Sequence, residues 1–184
     1  VRIPVPGAHN VYNTLAALAV GYSLDLSPAI MAKSLSSWPY EDLRQDLRPG
    51  PGGSLVYNDA YNANPESMQA ALQVLAALPG RKVAFLGEMF ELGPDTIKFH
   101  HGVGRLAAAM GLYRLITVGK LAEGIAAGAL AAGMSPGQVF VCSNHRQAVQ
   151  YLQELGDGDV VLFKGSRLAG IEKVLAIWEG TADE

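Results

Sequence analysis

The chain has 184 residues, of which 49% are hydrophobic and 17% are charged, and its formal net charge is −3. This length and apolar content suffice for one domain with a packed core, or for one domain and part of a second. The negative balance argues against a nucleic-acid partner. Cys142 is the only cysteine, which excludes a disulfide framework and a cysteine metal cluster and indicates a reducing compartment. No apolar run approaches the roughly 18 residues of a membrane span, and no signal peptide opens the chain.

The start of the chain predicts one strand end and two helices. Residues 2–6 are typical of the end of an edge strand, and the helix after them has Asn10 as its candidate N-cap. A second helix begins after Ser27 and ends near residue 38. Two helices and a strand end cannot bury a core, and the chain begins with Val1 rather than Met. We therefore expect the tail of a domain whose sheet lies upstream, in a fragment or a processed chain.

The remainder of the chain has a regular pattern. The Pro- and Gly-rich segment 48–53 predicts a domain boundary or a hairpin tip. After it, apolar strands alternate with helices five times, which is typical of a parallel sheet covered on both faces. The predicted strands are Leu55–Asn58, Lys82–Leu86, Leu115–Val118, Gln138–Val141 and Val160–Phe163. The predicted helices are Ser67–Leu78, Thr96–Met110, Leu121–Ala132, Arg146–Leu155 and Leu168–Trp178. We predict an α/β fold with a Rossmann-like, parallel-rich sheet and helices on both faces, preceded by a short, mainly helical segment.

Several common site motifs are absent from the sequence. There is no G-x-x-x-x-G-K-[ST] string, so the chain cannot hold a triphosphate in the manner of a P-loop. No G-x-G-x-x-G follows the first predicted strand, which argues against dinucleotide binding. Neither H-E-x-x-H nor G-x-S-x-G occurs, so the common zinc-protease and hydrolase motifs are also excluded.

The stretch Asp59–Pro65 places an acid, a phenol and two amides on a strand-to-helix turn. In open α/β sheets such a turn lies at the carboxyl edge of the sheet, where ligands bind. Asp, Asn and Pro are also ordinary turn formers, so a structural role is the alternative. The Asp59 carboxylate could accept hydrogen bonds from both ribose hydroxyls of a nucleotide, or it could instead form an Asx turn or a helix cap.

Two later loops are expected at the same edge. The first, Gly87–Gly93, contains Glu88 and Glu91, whose carboxylates could hold an ammonium group. The second, Lys164–Arg167, ends the last strand and begins its helix, where donors favour a carboxylate or a phosphate. Polar loops at one edge are a stronger indication of a site than either loop alone.

Two pairs of residues nearer the start of the chain are further candidates. Asn10 and Asn13 share one face of a helix, and an amide can pair with the edge of an adenine; a cap plus an exposed amide is the alternative. Arg44 and Arg48 lie beside the predicted boundary, where a guanidinium suits a phosphate. A solvated charged loop is the alternative for this second pair.

Four motifs occur in a fixed order along most of the chain. They are Gly7-x-His9-Asn10-Val11-x-Asn13, Asp59-x-Tyr61-Asn62-Ala63-Asn64-Pro65, Leu86-Gly87-Glu88-Met89-x-Glu91-Leu92-Gly93 and Lys164-Gly165-Ser166-Arg167. In that order and spacing they resemble the ATP-dependent Mur ligases of peptidoglycan synthesis. The second and third motifs are most similar to the branch that adds D-alanyl-D-alanine to UDP-N-acetylmuramoyl-tripeptide through an acyl phosphate.

The resemblance implies a division of the chain. Residues 1–47 would be the C-terminal end of the family's central ATP-binding domain, and residues 48–184 its C-terminal Rossmann-like domain. ATP and Mg²⁺ would be bound mainly by parts of the enzyme that this chain lacks, so we expect the chain alone to be inactive. A monomer in the bacterial cytoplasm is implied as well. A stand-alone Rossmann-like binding module, or a sister ligase such as another Mur ligase or a folylpolyglutamate synthase, is the alternative.

The resemblance also implies roles for single residues. The nucleotide-binding residues would be Asn10, Asn13, Arg44, Asp59, Tyr61 and Asn64. The substrate-binding residues would be Asn62, Glu88, Glu91, His100, Lys164, Ser166 and Arg167. No catalytic residue and no metal ligand is assigned. Arg48 stays the alternative to Arg44, because Leu43 and Gln45 replace the glycine and methionine that flank the family's arginine.

Overall fold

The computed structural model describes residues 1, 3–37 and 43–181. The chain falls into two compact units, Val1–Glu41 and Asp42–Glu184. The smaller unit contains the helices α1 (Ala8–Ser23) and α2 (Pro28–Ser36). Many large apolar side chains of these two helices are exposed, among them Val11, Tyr12, Leu15, Val20, Tyr22 and Ile30.

Two predictions for the start of the chain are wrong. Residues 3–6 form no strand, because the prolines in this segment have no N–H to donate to a sheet; residue 2 lies outside the described part. Asn10 does not cap the first helix, since α1 already begins at Ala8. The Asn10 side chain instead donates from Nδ2 to the Pro6 carbonyl at 2.7 Å. The second helix does begin after Ser27, as predicted, and it ends at Ser36, ahead of the predicted end at residue 38, which lies outside the described residues.

The described part of the larger unit is built around a six-stranded sheet with strand order β1-β2-β6-β3-β4-β5. β1 pairs antiparallel with β2, and all other neighbours are parallel. The strands are β1 (Asp46–Pro49), β2 (Leu55–Asn58), β3 (Arg81–Gly87), β4 (Arg114–Val118), β5 (Val139–Cys142) and β6 (Asp159–Lys164). The helices are α3 (Pro65–Ala77), α4 (Thr96–Ala109), α5 (Glu123–Ala131), α6 (His145–Gln150) and α7 (Ile171–Trp178). The predicted α/β fold is confirmed.

Most element boundaries agree with the predictions, with three exceptions. The five predicted strands lie within one residue of their observed ends. The Pro- and Gly-rich segment contains a hairpin tip that joins β1 to β2, and β1 itself was not predicted. The last helix starts three residues late, because Gly170 has a φ of 61° and separates the short turn Arg167–Ala169 from α7. The helix predicted over 146–155 stops at Gln150.

The sheet is covered by helices on both faces, which explains why its central strands are mostly apolar. Alternate residues of a strand point to opposite faces. Accordingly Leu162 packs in the core that contains residues of α3, α4 and α5, whereas its neighbours Val161 and Phe163 pack in the core that contains residues of α6 and α7. Among the described helices, none is both long and apolar enough to cross a bilayer.

Two glycines allow α4 and α5 to approach closely. A Cβ atom on Gly104 would lie 1.9 Å from the carbonyl oxygen of Ile125, and one on Gly128 would lie 2.2 Å from that of His101. Both obstacles are backbone atoms, which cannot rotate away. The contact between these helices therefore requires that both positions lack a side chain.

Replacing Gly104 with alanine should destabilise the chain by about 1–3 kcal/mol, the usual cost of overpacking, because the methyl group must separate the two helices. Gly102 in the same helix is the matched control, since a Cβ there would meet only the end of Arg105 at 4.0 Å. Gly102→Ala should leave stability unchanged or raise it by up to about 1 kcal/mol. Urea unfolding measures both changes, and equal effects would contradict the close helix contact.

Candidate functional site

Three loops that follow parallel strands meet at the carboxyl edge of the sheet. They are residues 59–64 after β2, 88–92 after β3 and 165–170 after β6. Because β6 lies between β2 and β3 in the sheet, its loop contacts both of the others. The candidate residues of the larger unit lie in or beside these loops.

The ammonium group of Lys164 lies at the centre of this edge. The side chain is 2% exposed, and its Nζ donates to Asp59 Oδ2 at 2.5 Å and to the carbonyl of Asn62 at 3.0 Å. The carbonyl of Asp59 is a third, longer contact at 3.4 Å. Burial lowers the pKa of Lys164, and the adjacent Asp59 carboxylate opposes that shift. An ammonium has three protons to donate, so Lys164 is fully engaged in fixing the loop after β2.

Asp59 is held from two sides and retains capacity for a ligand. Its backbone N–H donates to Phe163 at 2.9 Å, and its Oδ1 accepts from the N–H of Gln45 at 3.2 Å. Asp59 Oδ2 accepts from Lys164 Nζ, so each of the two carboxylate oxygens accepts one hydrogen bond within the protein. A carboxylate has about four acceptor sites, so two remain for the hydroxyl groups of a ligand.

Arg44 lies over the exposed ring of Tyr61. The guanidinium carbon of Arg44 is 3.8 Å from the centroid of the Tyr61 ring, and Tyr61 is 43% exposed. The Tyr61 N–H donates to the Leu43 carbonyl at 3.0 Å, which ties the two segments together. Leu43 and Gln45 both have positive φ, at 64° and 51°. Left-handed backbone costs a non-glycine residue roughly 1–2 kcal/mol, so these contacts must hold the segment in place.

Arg48 has a different environment from Arg44. Its Nε donates to Asp46 at 2.8 Å, and its two terminal nitrogens donate to the two carboxylate oxygens of Glu179 at the end of α7. Two carboxylates of the same unit therefore engage Arg48. Arg44, by contrast, lies over the ring of Tyr61, in the loop that carries Asp59.

The amides of this loop serve its conformation. Asn64 accepts from the N–H of Ser67 at 2.8 Å, and the Ser67 hydroxyl accepts from the N–H of Asn64 at 3.0 Å, which forms a capping box at the start of α3. Asn62 is exposed and accepts from the N–H of Ala63 at 2.9 Å. The carbonyl of Asn62 is the one that binds Lys164.

Ser166 joins all three loops. Its hydroxyl donates to the Ala63 carbonyl at 3.2 Å and accepts from the N–H of Phe90 at 3.0 Å. Its own N–H donates to the Glu88 carbonyl at 2.8 Å. Because the residue is buried and its groups are paired, Ser166 acts on the site through the loops that it connects.

His100 holds the loop after β3. Its Nε2 accepts from the N–H of Met89 at 3.0 Å, and its Nδ1 lies 2.7 Å from the Thr96 carbonyl. A carbonyl can only accept, so the proton is on Nδ1 and the ring is neutral. The side chain is fully buried, and this burial lowers the pKa of His100. Both ring nitrogens are engaged within the protein, so His100 contributes to the site by holding the loop after β3 in position.

The remaining predicted substrate residues differ in exposure. Glu88 accepts from the N–H of Leu121 at 2.8 Å and is half-buried. Glu91 is exposed, with a φ of 62°. The Arg167 side chain is also exposed and pairs with Glu172 at 3.0 Å. These exposed groups, together with Asn62, are the ones that a ligand can reach.

Asn10 and Asn13 belong to the smaller unit and lie one turn apart on α1. Asn13 is exposed and donates from Nδ2 to Asn10 Oδ1 at 3.4 Å. Across the described ranges of both units, no three His, Cys, Asp or Glu side chains are grouped so that they could hold a metal ion.

One further loop at this edge is not among the sites predicted from the sequence. Residues Ser143, Asn144 and His145 follow β5 and line a cavity of about 250 Å³ together with Glu88 and the turn after β6. The signal was available, because three polar residues follow an apolar strand and precede a helix. The same pattern, polar residues between an apolar strand and a helix, identifies Asp59.

An α/β unit whose polar loops gather at the carboxyl edge of a parallel sheet is typical of nucleotide- and substrate-binding domains of enzymes. The sequence matches the family described as "Mur ligase, glutamate ligase domain" over residues 44–167. The chain belongs to this family.

Similar proteins share a more specific name. The UDP-N-acetylmuramoyl-tripeptide–D-alanyl-D-alanine ligase of Bacillus subtilis (strain 168) is 36% identical over 176 residues, covering 94% of this chain and 38% of the relative. The ligase of the same name from Escherichia coli (strain K12) is 35% identical, covering 95% of this chain and 38% of the relative. This chain thus spans less than two fifths of the length of these curated relatives.

Solved structures agree with the sequence matches. A crystal structure of MurF from Acinetobacter baumannii superposes with a TM-score of 0.86 at 31% identity, covering 98% of this chain and 39% of that chain. The structure of MurF ligase from Thermotoga maritima in complex with ADP superposes with a TM-score of 0.81 at 29% identity. The match covers 96% of this chain and 39% of that chain. A Mycobacterium tuberculosis folylpolyglutamate synthase superposes with a TM-score of 0.68 at 18% identity, and the match covers 93% of this chain and 40% of that chain. At this identity the similarity shows the fold alone.

Replacing Lys164 with methionine should lower the free energy of unfolding by about 3 kcal/mol, because Asp59 would lose its buried partner. Lys173→Met is the matched control. Lys173 is exposed, so this change should alter stability by no more than about 0.5 kcal/mol. Urea unfolding of the two variants tests the central position of Lys164, and similar small effects would contradict it.

The environment of His100 predicts a loss of stability in acid. The folded chain resists protonation of this ring, whose pKa is lowered, whereas the unfolded chain takes up the proton near about pH 6.5. The stabilisation is therefore present above about pH 6.5 and is lost as the pH falls below it, by at most about 1.4 kcal/mol per pH unit.

The test compares the free energy of unfolding at about pH 7.5 and about pH 5.5, on either side of that value. His100→Gln should reduce the difference between the two conditions, since glutamine does not titrate. His101→Gln leaves the bonds to Met89 and Thr96 intact and should preserve it. An unchanged difference in His100→Gln would show that this ring does not govern the acid dependence.

Proposed function

We propose that this chain forms the C-terminal part of an ATP-dependent amide ligase that joins D-alanyl-D-alanine to UDP-N-acetylmuramoyl-tripeptide in the cytoplasm of a bacterium. Relatives with that name align with 94% and 95% of the chain. The observation that carries the proposal is the joining of three motif loops at one sheet edge by Lys164 and Ser166. Such an edge is preorganised for ligands before they arrive.

In this proposal the loop after β2 serves the nucleotide. Asp59 accepts from the ribose hydroxyls with its remaining acceptor sites. Arg44, which lies over the Tyr61 ring, brings positive charge to the phosphates. Asn64 supports the loop from the start of α3.

Residues 1–47 would be the end of the ATP-binding domain, with Asn10 and Asn13 serving the adenine, and residues 48–184 the C-terminal domain. Large apolar side chains of α1 and α2 are exposed, which supports the assignment of these two helices to a larger domain that would bury them.

The other two loops, together with Asn62 of the loop after β2, would serve the dipeptide. Asn62, Glu88, Glu91 and Arg167 offer polar groups to its amine and carboxylate. His100, Lys164 and Ser166 would contribute as positioning residues, because their own polar groups are already paired within the protein.

The reaction would proceed through an acyl phosphate. The terminal phosphoryl group of ATP passes to the tripeptide carboxylate and ADP is formed. The dipeptide amine then forms a bond to the acyl carbon, the carbon–oxygen bond to phosphate breaks, phosphate leaves with the electron pair, and the nitrogen loses a proton. This chain's residues would orient the nucleotide and the amine, which is the main contribution of proteins to phosphoryl transfer.

The proposal can be tested by joining this chain behind the N-terminal remainder of the Bacillus subtilis relative. The joined monomer should release phosphate from ATP only when the UDP-linked tripeptide and D-alanyl-D-alanine are both present. The 184-residue chain alone should release none, because it has no P-loop. Product with glutamate in place of the dipeptide would favour a sister ligase, and a folded joined chain that is inactive with either amine would contradict the proposal.

The nucleotide role of Asp59 has its own variant in the same assay. Asp59→Asn should raise the KM for ATP about tenfold, because hydrogen bonds to a charged acceptor are weakened, with a smaller effect on kcat. Asp46→Asn is the control, since Asp46 pairs with Arg48 and lies in the neighbouring strand. Equal KM values in the two variants would remove Asp59 from the nucleotide site.

A further inference from the structure

The cavity beside β4 and β5 is separate from the group around Lys164 and has a chemical character of its own. Its lining includes Glu88, Gly119, His145 and Leu168, and its volume is about 250 Å³. Pockets for drug-sized ligands measure roughly 300–1,000 Å³. The cavity therefore suits a smaller molecule, of the size of an amino acid or a dipeptide.

The Glu88 carboxylate is fixed at this cavity by one of its two oxygens. Oε1 accepts from the N–H of Leu121 at 2.8 Å. A Cβ on Gly119 would lie 2.4 Å from Glu88 Cδ and 2.6 Å from Oε2, so the carboxylate packs directly on the glycine backbone. Among the hydrogen bonds of the described residues, none engages Oε2. One carboxylate oxygen is thus held in position with its acceptor sites open.

His145 offers a second acceptor. Its Nε2 lies 2.9 Å from the Ala169 carbonyl, which can only accept, so Nε2 carries the proton. In the neutral ring Nδ1 is then an acceptor. Leu168, in the same turn as Ala169, is 83% exposed and supplies apolar surface at the rim.

We propose that this cavity binds the ammonium group of a small amine substrate through Glu88 and His145, with Leu168 covering the apolar part of the molecule. Two acceptors, one of them negatively charged, complement a group that only donates. The inference rests on the proposed function, and there the ligand is a zwitterionic dipeptide with a free amine. It adds the loop after β5 to the substrate site and assigns His145 a binding role.

The experiment is an NMR titration of backbone amides in the 184-residue chain, with D-alanyl-D-alanine and with N-acetyl-D-alanyl-D-alanine, which has no ammonium group. We expect the free dipeptide to shift the amides of Gly119, Leu121 and His145. The acetylated compound should bind about tenfold more weakly or worse, as when a charge-assisted hydrogen bond is lost.

Two variants and a control locate the interaction. Glu88→Gln keeps an oxygen for the Leu121 N–H and should weaken dipeptide binding about tenfold or more. Leu168→Ser changes an exposed side chain and should weaken it by a smaller factor. Glu123→Gln removes a nearby charge that pairs with Lys120 outside the cavity, and it should leave the Kd unchanged.

The outcomes separate this inference from the proposed function. Shifts at Asn62 and Arg167 without shifts at Gly119 and His145 would overturn the cavity and leave the ligase proposal standing. Equal affinity for the acetylated compound would overturn ammonium recognition. No binding of either compound would also overturn the inference, whereas the ligase proposal is decided by phosphate release from the joined chain.

Discussion

The buried ammonium of Lys164 is the constraint on which the candidate site depends. An unpaired charge in an apolar interior is too costly to persist, so the last residue of β6 requires acceptors around it. The Asp59 carboxylate and the carbonyls of Asp59 and Asn62 supply them. Three acceptors from one four-residue stretch leave the backbone of that stretch little freedom. The position of Asp59 is therefore set by a strand more than 100 residues away in sequence.

The other loops at the edge are fixed by the same principle, applied to backbone groups. Loops that are buried without secondary structure must find partners for their N–H groups. Ser166 provides one for Phe90, His100 for Met89, and Glu88 for Leu121. Buried polar side chains thus hold the loops, and exposed polar side chains remain for ligands. This division lets the site be rigid before a ligand binds, which lowers the entropic cost of binding.

Sequence patterns predicted the sheet well because its central parallel strands are buried on both faces and are therefore mostly apolar. They missed β1, whose four residues include an acid, an arginine and a proline, because an edge strand carries no such run. The pairing of Lys164 with Asp59 could not be predicted from the sequence either, because it depends on the position of β6 between β2 and β3 in the sheet. Asn64 was predicted to bind nucleotide, and its capping of α3 could have been recognised from Ser67 three residues later.

Each residue of the string Lys164-Gly165-Ser166-Arg167 has its own structural environment. Lys164 faces the loop after β2, and Ser166 bonds to the loops after β2 and β3 at once. A Cβ on Gly165 would lie 2.6 Å from Ile171 and 3.2 Å from Gly87 Cα, so any side chain there would push β6 away from β3. Three of the four positions are therefore required by the fold itself. Arg167 alone keeps its side chain exposed, so a ligand at this edge meets the motif through its last residue.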